Sequence, residues 1–230
     1  MTRIGPNTEL PARREAVAFT TADGVRLVGE IALPAERDPV ATAVTLHPLP
    51  TAGGSMDSHL FRKMAWRLPA LADLAVVRFN TRGHDGSGGS FGFGDGERFD
   101  VAAALALVGS RGLPHPWLVG WSFGTDLALM HGADPAVEGA ILVSPPLRYS
   151  TDADLDRWAA LGKPVVCLVP ELDDYLRPAE ARERFARVPQ AEIVVGEGVK
   201  HLWVGHADEV LSAVVERLAP QALPLPTEWP

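Results

Sequence analysis

The chain has 230 residues, 47% of them apolar and 22% charged, a balance that suits one sizeable core and excludes a disordered or fibrous chain. A formal charge of −8 without any Lys/Arg cluster excludes a phosphate-binding surface, so no nucleic-acid partner is expected. No apolar run reaches the roughly 20 residues that span a bilayer, and the first residues lack the apolar core of a signal peptide, so the expectation is a cytoplasmic protein without a membrane partner.

Residues 1–15 carry charges and prolines without periodicity and are expected to form an extended tail. Apolar runs at 17–20 and 25–33 flank Thr21-Ala22-Asp23-Gly24, where Asp-Gly supplies the positive φ of a tight hairpin. The continuous apolar run at 40–46 fits a buried central strand. It leads into His47-Pro48-Leu49-Pro50-Thr51-Ala52-Gly53-Gly54-Ser55, whose prolines and glycines predict a loop. Asp57 or Ser58 can cap the next helix, in which Leu60, Phe61, Met64, Ala65 and Leu68 make one apolar face. A strand at 75–79 follows, then a shaped loop with seven glycines at 80–96 and a helix at 97–108.

At 116–130 a short apolar strand ends in Gly120-Trp121-Ser122-Phe123-Gly124 and a helical pattern starts at once, with Phe123, Leu127 and Met130 at three- and four-residue spacing. This is the G-x-S-x-G nucleophile elbow in a strand, turn, helix setting. A serine in so tight a turn has backbone packed on both sides, and glycine two residues before and after leaves the room. The hydroxyl is then exposed at a helix start, where free N–H groups can meet a developing oxyanion.

Further strands are predicted at 137–143, 165–169 and 192–195, alternating with helices at 154–161, 178–187 and 207–218. The alternation predicts one α/β domain over residues 1–230, with a mostly parallel sheet of about eight strands and helices on both faces. The tail at 220–230 is too rich in proline for a helix; its Leu and Trp residues suit a strap along the surface or contact with a neighbour, which leaves a homodimer open. The single cysteine, Cys167, lies in the apolar run at 164–169, which excludes an internal disulfide and a cysteine-based zinc site; no metal or cofactor is expected.

In a parallel α/β sheet the functional groups collect in loops at the carboxyl ends of the strands. Serine needs a base to accept its proton, and the base needs an acid to orient it, in the chain order Ser, acid, His after an elbow. Of seven histidines, His201 follows the last strand and precedes the last helix, and is the expected base. His206 reads as a capping or surface residue, while His59, His115 and His131 fall on or beside regular elements. Among Glu171, Asp173 and Asp174, Asp173 stands just past a strand end and is the preferred acid, with Asp174 as its rival. Asp126, on the elbow helix, reads as a cap or solvated charge. The oxyanion donors should be the Phe123 N–H and one from the loop after residues 40–46; because Pro48 and Pro50 have none, Leu49 is the donor available after His47.

These motifs together resemble the α/β-hydrolase superfamily, and more narrowly its small, lidless bacterial members with a His-Pro-x-Pro loop. The matching residues are His47 to Pro50, Gly53 to Met56, Arg78 to Gly83, Gly94 to Glu97 and Gly120 to Gly124, with Asp173 and His201. The resemblance implies a Ser122, Asp173, His201 triad with Leu49 and Phe123 as oxyanion donors. It departs from the superfamily at Pro48, where glycine commonly follows the loop histidine.

The expected activity is that of a carboxylesterase-like serine hydrolase (EC 3.1.1 class) cleaving a small ester, thioester or amide through an acyl-enzyme. A serine-dependent acyl transferase, or a binding protein on the same fold, is the alternative. Only about twenty residues separate the strands ending at 143 and starting at 165, which leaves no or minimal lid. An open site for a small acyl substrate follows, with Trp121, Leu147 and Trp203 as its binding walls beside Leu49 and Phe123.

Overall fold

The computed structural model describes residues 1–230, beginning with a two-residue strand, β1 (Thr2–Arg3), and a hairpin of β2 (Arg13–Thr20) and β3 (Arg26–Leu33). Gly24 takes a φ of 86° in the turn, while the Thr21 hydroxyl donates to Asp23 and accepts the Val25 N–H. Strands and helices then alternate: β4 (Ala41–Leu46), α1 (His59–Ala72), β5 (Leu74–Asn80), α2 (Arg98–Ser110), β6 (Pro116–Trp121) and α3 (Phe123–His131). They continue as β7 (Gly139–Val143), α4 (Asp152–Leu161), β8 (Val165–Pro170), α5 (Pro178–Phe185), β9 (Ala191–Gly196) and α6 (Ala207–Leu218). The last strand, β10 (Glu228–Trp229), pairs antiparallel with β1, so the two chain ends lie side by side.

The main sheet has eight strands in the order β2-β3-β5-β4-β6-β7-β8-β9. The β2–β3 and β3–β5 pairs are antiparallel and the rest parallel, which is the mostly parallel sheet the sequence predicts. The central strands are buried at consecutive positions because both faces are covered. Side chains still alternate strictly: Leu118, Leu142 and Cys167 enter the core beneath α2 to α5, whereas Val119, Val143 and Leu168 enter the core beneath α1 and α6.

Two features of α1 depart from a simple reading. The helix runs through Pro69, which supplies no N–H; the carbonyl four residues earlier, on Ala65, accepts a 2.7 Å bond from the Arg14 guanidinium instead. At the other end Ser58 occupies the cap position, but its hydroxyl takes the Ser55 N–H and Asp57 pairs with Arg78, so neither side chain caps the helix.

The glycine-rich loop before α2 is pinned by charge. Buried Arg82 bridges Asp23 and Asp100, and its guanidinium holds the Asp23 carboxyl far below the usual carboxylate range. Buried Glu97 accepts the N–H groups of Gly92 and Gly94. A capping box between Thr151 and Asp154 starts α4, and the buried Trp158 indole N–H bonds backbone carbonyls of α3, so the connection from β7 to β8 lies against α3 and forms no lid. No helix is long and apolar enough to cross a membrane.

Candidate active site

The site begins where β6 meets α3. Ser122 adopts φ 52° and ψ −119°, a conformation that costs energy in any residue but glycine and holds the hydroxyl clear of the sheet. The turn is fixed by the Ser122 N–H donating 2.9 Å to the Val143 carbonyl of the neighbouring strand. A Cβ at Gly120 would stand 2.4 Å from the Gly124 carbonyl oxygen, and one at Gly124 would stand 1.8 Å from that of Leu46. Both elbow glycines are therefore demanded by the close approach of α3 to β6 and β4.

Loops after β8 and β9 bring two more side chains to this hydroxyl. His201 Nε2 lies 2.9 Å from Ser122 Oγ, and His201 Nδ1 lies 2.9 Å from Asp173 Oδ2. Asp173, buried past the end of β8, also accepts the Tyr175 N–H at 2.8 Å, which turns its carboxylate toward the histidine. With Nδ1 facing a carboxylate, the ring carries its proton there and presents the Nε2 lone pair to the serine. Asp174 is exposed and makes none of these contacts, while Glu171 accepts the Gly198 N–H.

Ser122 and His201 border a cavity of about 160 Å³, also lined by Pro48, Leu49, Phe123, Arg148, Tyr149 and Tyr175, while Asp173 lies behind the histidine. Trp121, Leu147 and Trp203 do not line it, which corrects the expected walls. Trp121 follows the period-two alternation of β6 into the opposite core, against Phe61 and His59 of α1. Its indole N–H reaches the His201 carbonyl at 3.3 Å. Trp203 donates 2.8 Å to the Ser144 hydroxyl, which in turn donates 2.9 Å to the same carbonyl. The two tryptophans thus hold the histidine loop from behind, and Leu147 is buried in the core beneath α2 to α5.

Leu49 and Phe123 do border the cavity, and neither backbone N–H has a partner within the protein. A buried histidine sets the first of them. The Thr81 N–H donates to His47 Nε2 at 3.1 Å, so the proton sits on Nδ1, which donates 2.7 Å to the Pro48 carbonyl. The Pro48–Leu49 peptide is trans, so its carbonyl and N–H point in opposite directions; fixing the carbonyl on His47 turns the Leu49 N–H away from it. Burial holds His47 neutral, lowering its pKa from 6.5 to about 4. The prolines pointed to Leu49, but nothing in the local pattern distinguishes the His47 ring as its support.

Asp126 was readable as a solvated charge; it is fully buried instead. Its carboxylate accepts the N–H groups of Arg148, Tyr149 and Ser150 and the Ser150 hydroxyl, binding the loop after β7 to α3, and burial raises its pKa. The available signal was a single acidic residue within an otherwise apolar stretch of α3. Tyr175, edge-on to the His201 ring at 4.6 Å, was also missed because it lies in an acidic surface sequence.

No family model and no curated protein matches the sequence. Solved structures do. A lidless α/β serine hydrolase from Xanthomonas campestris matches with a TM-score of 0.76 and 26% identity, over 93% of this chain and 99% of its own. An α/β serine hydrolase homologue from Coxiella burnetii gives 0.76 and 27%, over 89% and 97%. An esterase from Pyrococcus furiosus shares the fold at 0.76 with 19% identity, over 90% and 94%. The architecture is that of the α/β-hydrolase superfamily. Like the lidless hydrolase from Xanthomonas campestris, the chain is small and has no lid.

Proposed function

We propose that the chain is a serine hydrolase, carboxylesterase-like, that cleaves a small ester through an acyl-enzyme, with thioesters and amides as related substrates. The observation that carries this reading is the unbroken hydrogen-bond series Asp173, His201, Ser122 opening on one cavity. Ser122 Oγ attacks the carbonyl carbon as its proton passes to His201 Nε2; Asp173 stabilises the resulting imidazolium; the tetrahedral oxyanion is held by the Leu49 and Phe123 N–H groups. Collapse expels the leaving group, which takes the proton from His201, and a water activated by the same nitrogen then releases the acid and restores Ser122. Esters come before amides because their leaving groups are easier to expel. The neighbours named as serine hydrolases and an esterase support the same reading.

The test is a fluorophosphonate probe together with p-nitrophenyl butyrate. Ser122 is expected to label stoichiometrically, and Ser122→Ala to lose labelling and at least about 10³-fold in kcat. Absence of both labelling and turnover in the folded protein would overturn the assignment.

A further inference from the structure

Arg148 is the one permanently cationic side chain that lines the cavity, and it is exposed. Its guanidinium forms neither a salt bridge nor a hydrogen bond within the protein, on a chain whose net charge is −8, and among the arginines without such a partner it is the one on the cavity wall. What holds it in place is well defined. Leu147, just before it, takes a positive φ of 49°, and the Arg148 N–H donates to buried Asp126 at the start of a run of three such bonds. The guanidinium carbon lies 5.7 Å from the centre of the Tyr175 ring, which in turn packs edge-on against His201. Asp126, the carboxylate that lines the same cavity, is already occupied by the loop N–H groups and Ser150, and Asp173 is engaged by His201. No acidic side chain on the cavity wall remains to neutralise the arginine.

An unpaired planar guanidinium beside a nucleophile, on a backbone anchored by a buried carboxylate, is built to receive a carboxylate from outside the protein. Resting on the hydrolase reading above, we propose that the preferred substrates are esters that carry a free carboxylate, which Arg148 binds while Ser122 attacks the ester carbonyl. The carboxylate can belong to the acyl half or to the leaving group. Both cases share the same recognition chemistry.

Two matched probe pairs test this at low ionic strength: the p-nitrophenyl hemiester of adipic acid against p-nitrophenyl hexanoate, and 3-acetoxybenzoate against phenyl acetate. The quantity read is the ratio of kcat/KM, anionic over neutral, so that any loss of folded enzyme cancels. At least one ratio is expected to reach about 5 in the unaltered protein, since a charge-assisted bond at an exposed site contributes on the order of 1 kcal/mol. The preference should lie mainly in KM and weaken in about 0.5 M salt. Arg148→Gln should bring that ratio to near unity, and Arg148→Lys should retain part of it. Ratios near or below unity for both pairs, or a preference that survives Arg148→Gln, would overturn the proposal while leaving the hydrolase reading intact. If no probe turns over and Ser122 does not label, the hydrolase reading falls first and this proposal with it.

Discussion

Two loops flank Ser122, and each is held by one buried polar side chain that has no part in bond making. After β4, His47 ties the chain by a single donated and a single backbone-accepted bond, and it does so as a neutral ring. After β7, Asp126 ties the chain by accepting three backbone N–H groups and a hydroxyl. The neutral anchor aims a backbone donor, the Leu49 N–H; the acidic anchor aims a side chain, Arg148. Orienting one peptide plane takes a group that can both donate and accept, which imidazole supplies. Gathering several successive N–H groups takes an acceptor with spare lone pairs, which a carboxylate supplies.

The two anchors meet at α3, and Gly124→Ala would disturb both. Its Cβ would sit 1.8 Å from the Leu46 carbonyl and 3.0 Å from that of His47, backbone atoms that cannot step aside. A loss of at least about 4 kcal/mol in urea unfolding is expected. A variant of ordinary stability would show that α3 can retreat from β4 and that the loops are less tightly coupled. Asp126→Ala separates them. It leaves the Arg148, Tyr149 and Ser150 N–H groups and the Ser150 hydroxyl without their acceptor and should cost about 3 kcal/mol, with faster amide exchange at Ser150 and unchanged exchange at Thr81. Asp126→Asn, which keeps one carbonyl acceptor, should cost roughly half as much. Equal exchange changes in both loops would remove the distinction.

How far such features can be read from sequence depends on the distance over which their cause acts. The elbow was legible because Gly120, Ser122 and Gly124 constrain one another within a single turn. The central strands were legible because burial on both faces leaves continuous apolar runs. The positions of His201 and Asp173 just past strand ends follow from the parallel topology. Trp121 stands next to Ser122 in sequence but not in the cavity, because alternation along β6 sends the two apart. Asp126 was misread because the donors that make its burial tolerable lie 22 to 24 residues further on, in a loop with no motif. Pro69 is tolerated inside α1 for a cause equally distant in sequence: the Ala65 carbonyl that it leaves without a donor is answered by Arg14, 51 residues away.

The neutral anchor offers the finest test, because its state depends on pH and its two nitrogens can be mimicked separately. A buried histidine with its pKa lowered from 6.5 to about 4 binds fewer protons than the unfolded chain between those values. The stability it contributes is therefore complete above about pH 6.5 and is lost as pH falls toward 4, at up to about 1.4 kcal/mol per pH unit. Unfolding of the native protein and of His47→Gln, followed at pH 7.5 and pH 5, should show the native advantage shrink by about 2 kcal/mol. Burial lowers the His59 pKa as well, but that contribution is common to both proteins and cancels in the difference. Asparagine reproduces the Nδ1 side of the ring and glutamine the Nε2 side. His47→Asn can still hold the Pro48 carbonyl and so should keep more of kcat than His47→Gln, which keeps the Thr81 contact and frees the peptide that bears the Leu49 N–H. The reverse order would mean that the Thr81 contact, not the Pro48 carbonyl, fixes the Leu49 N–H.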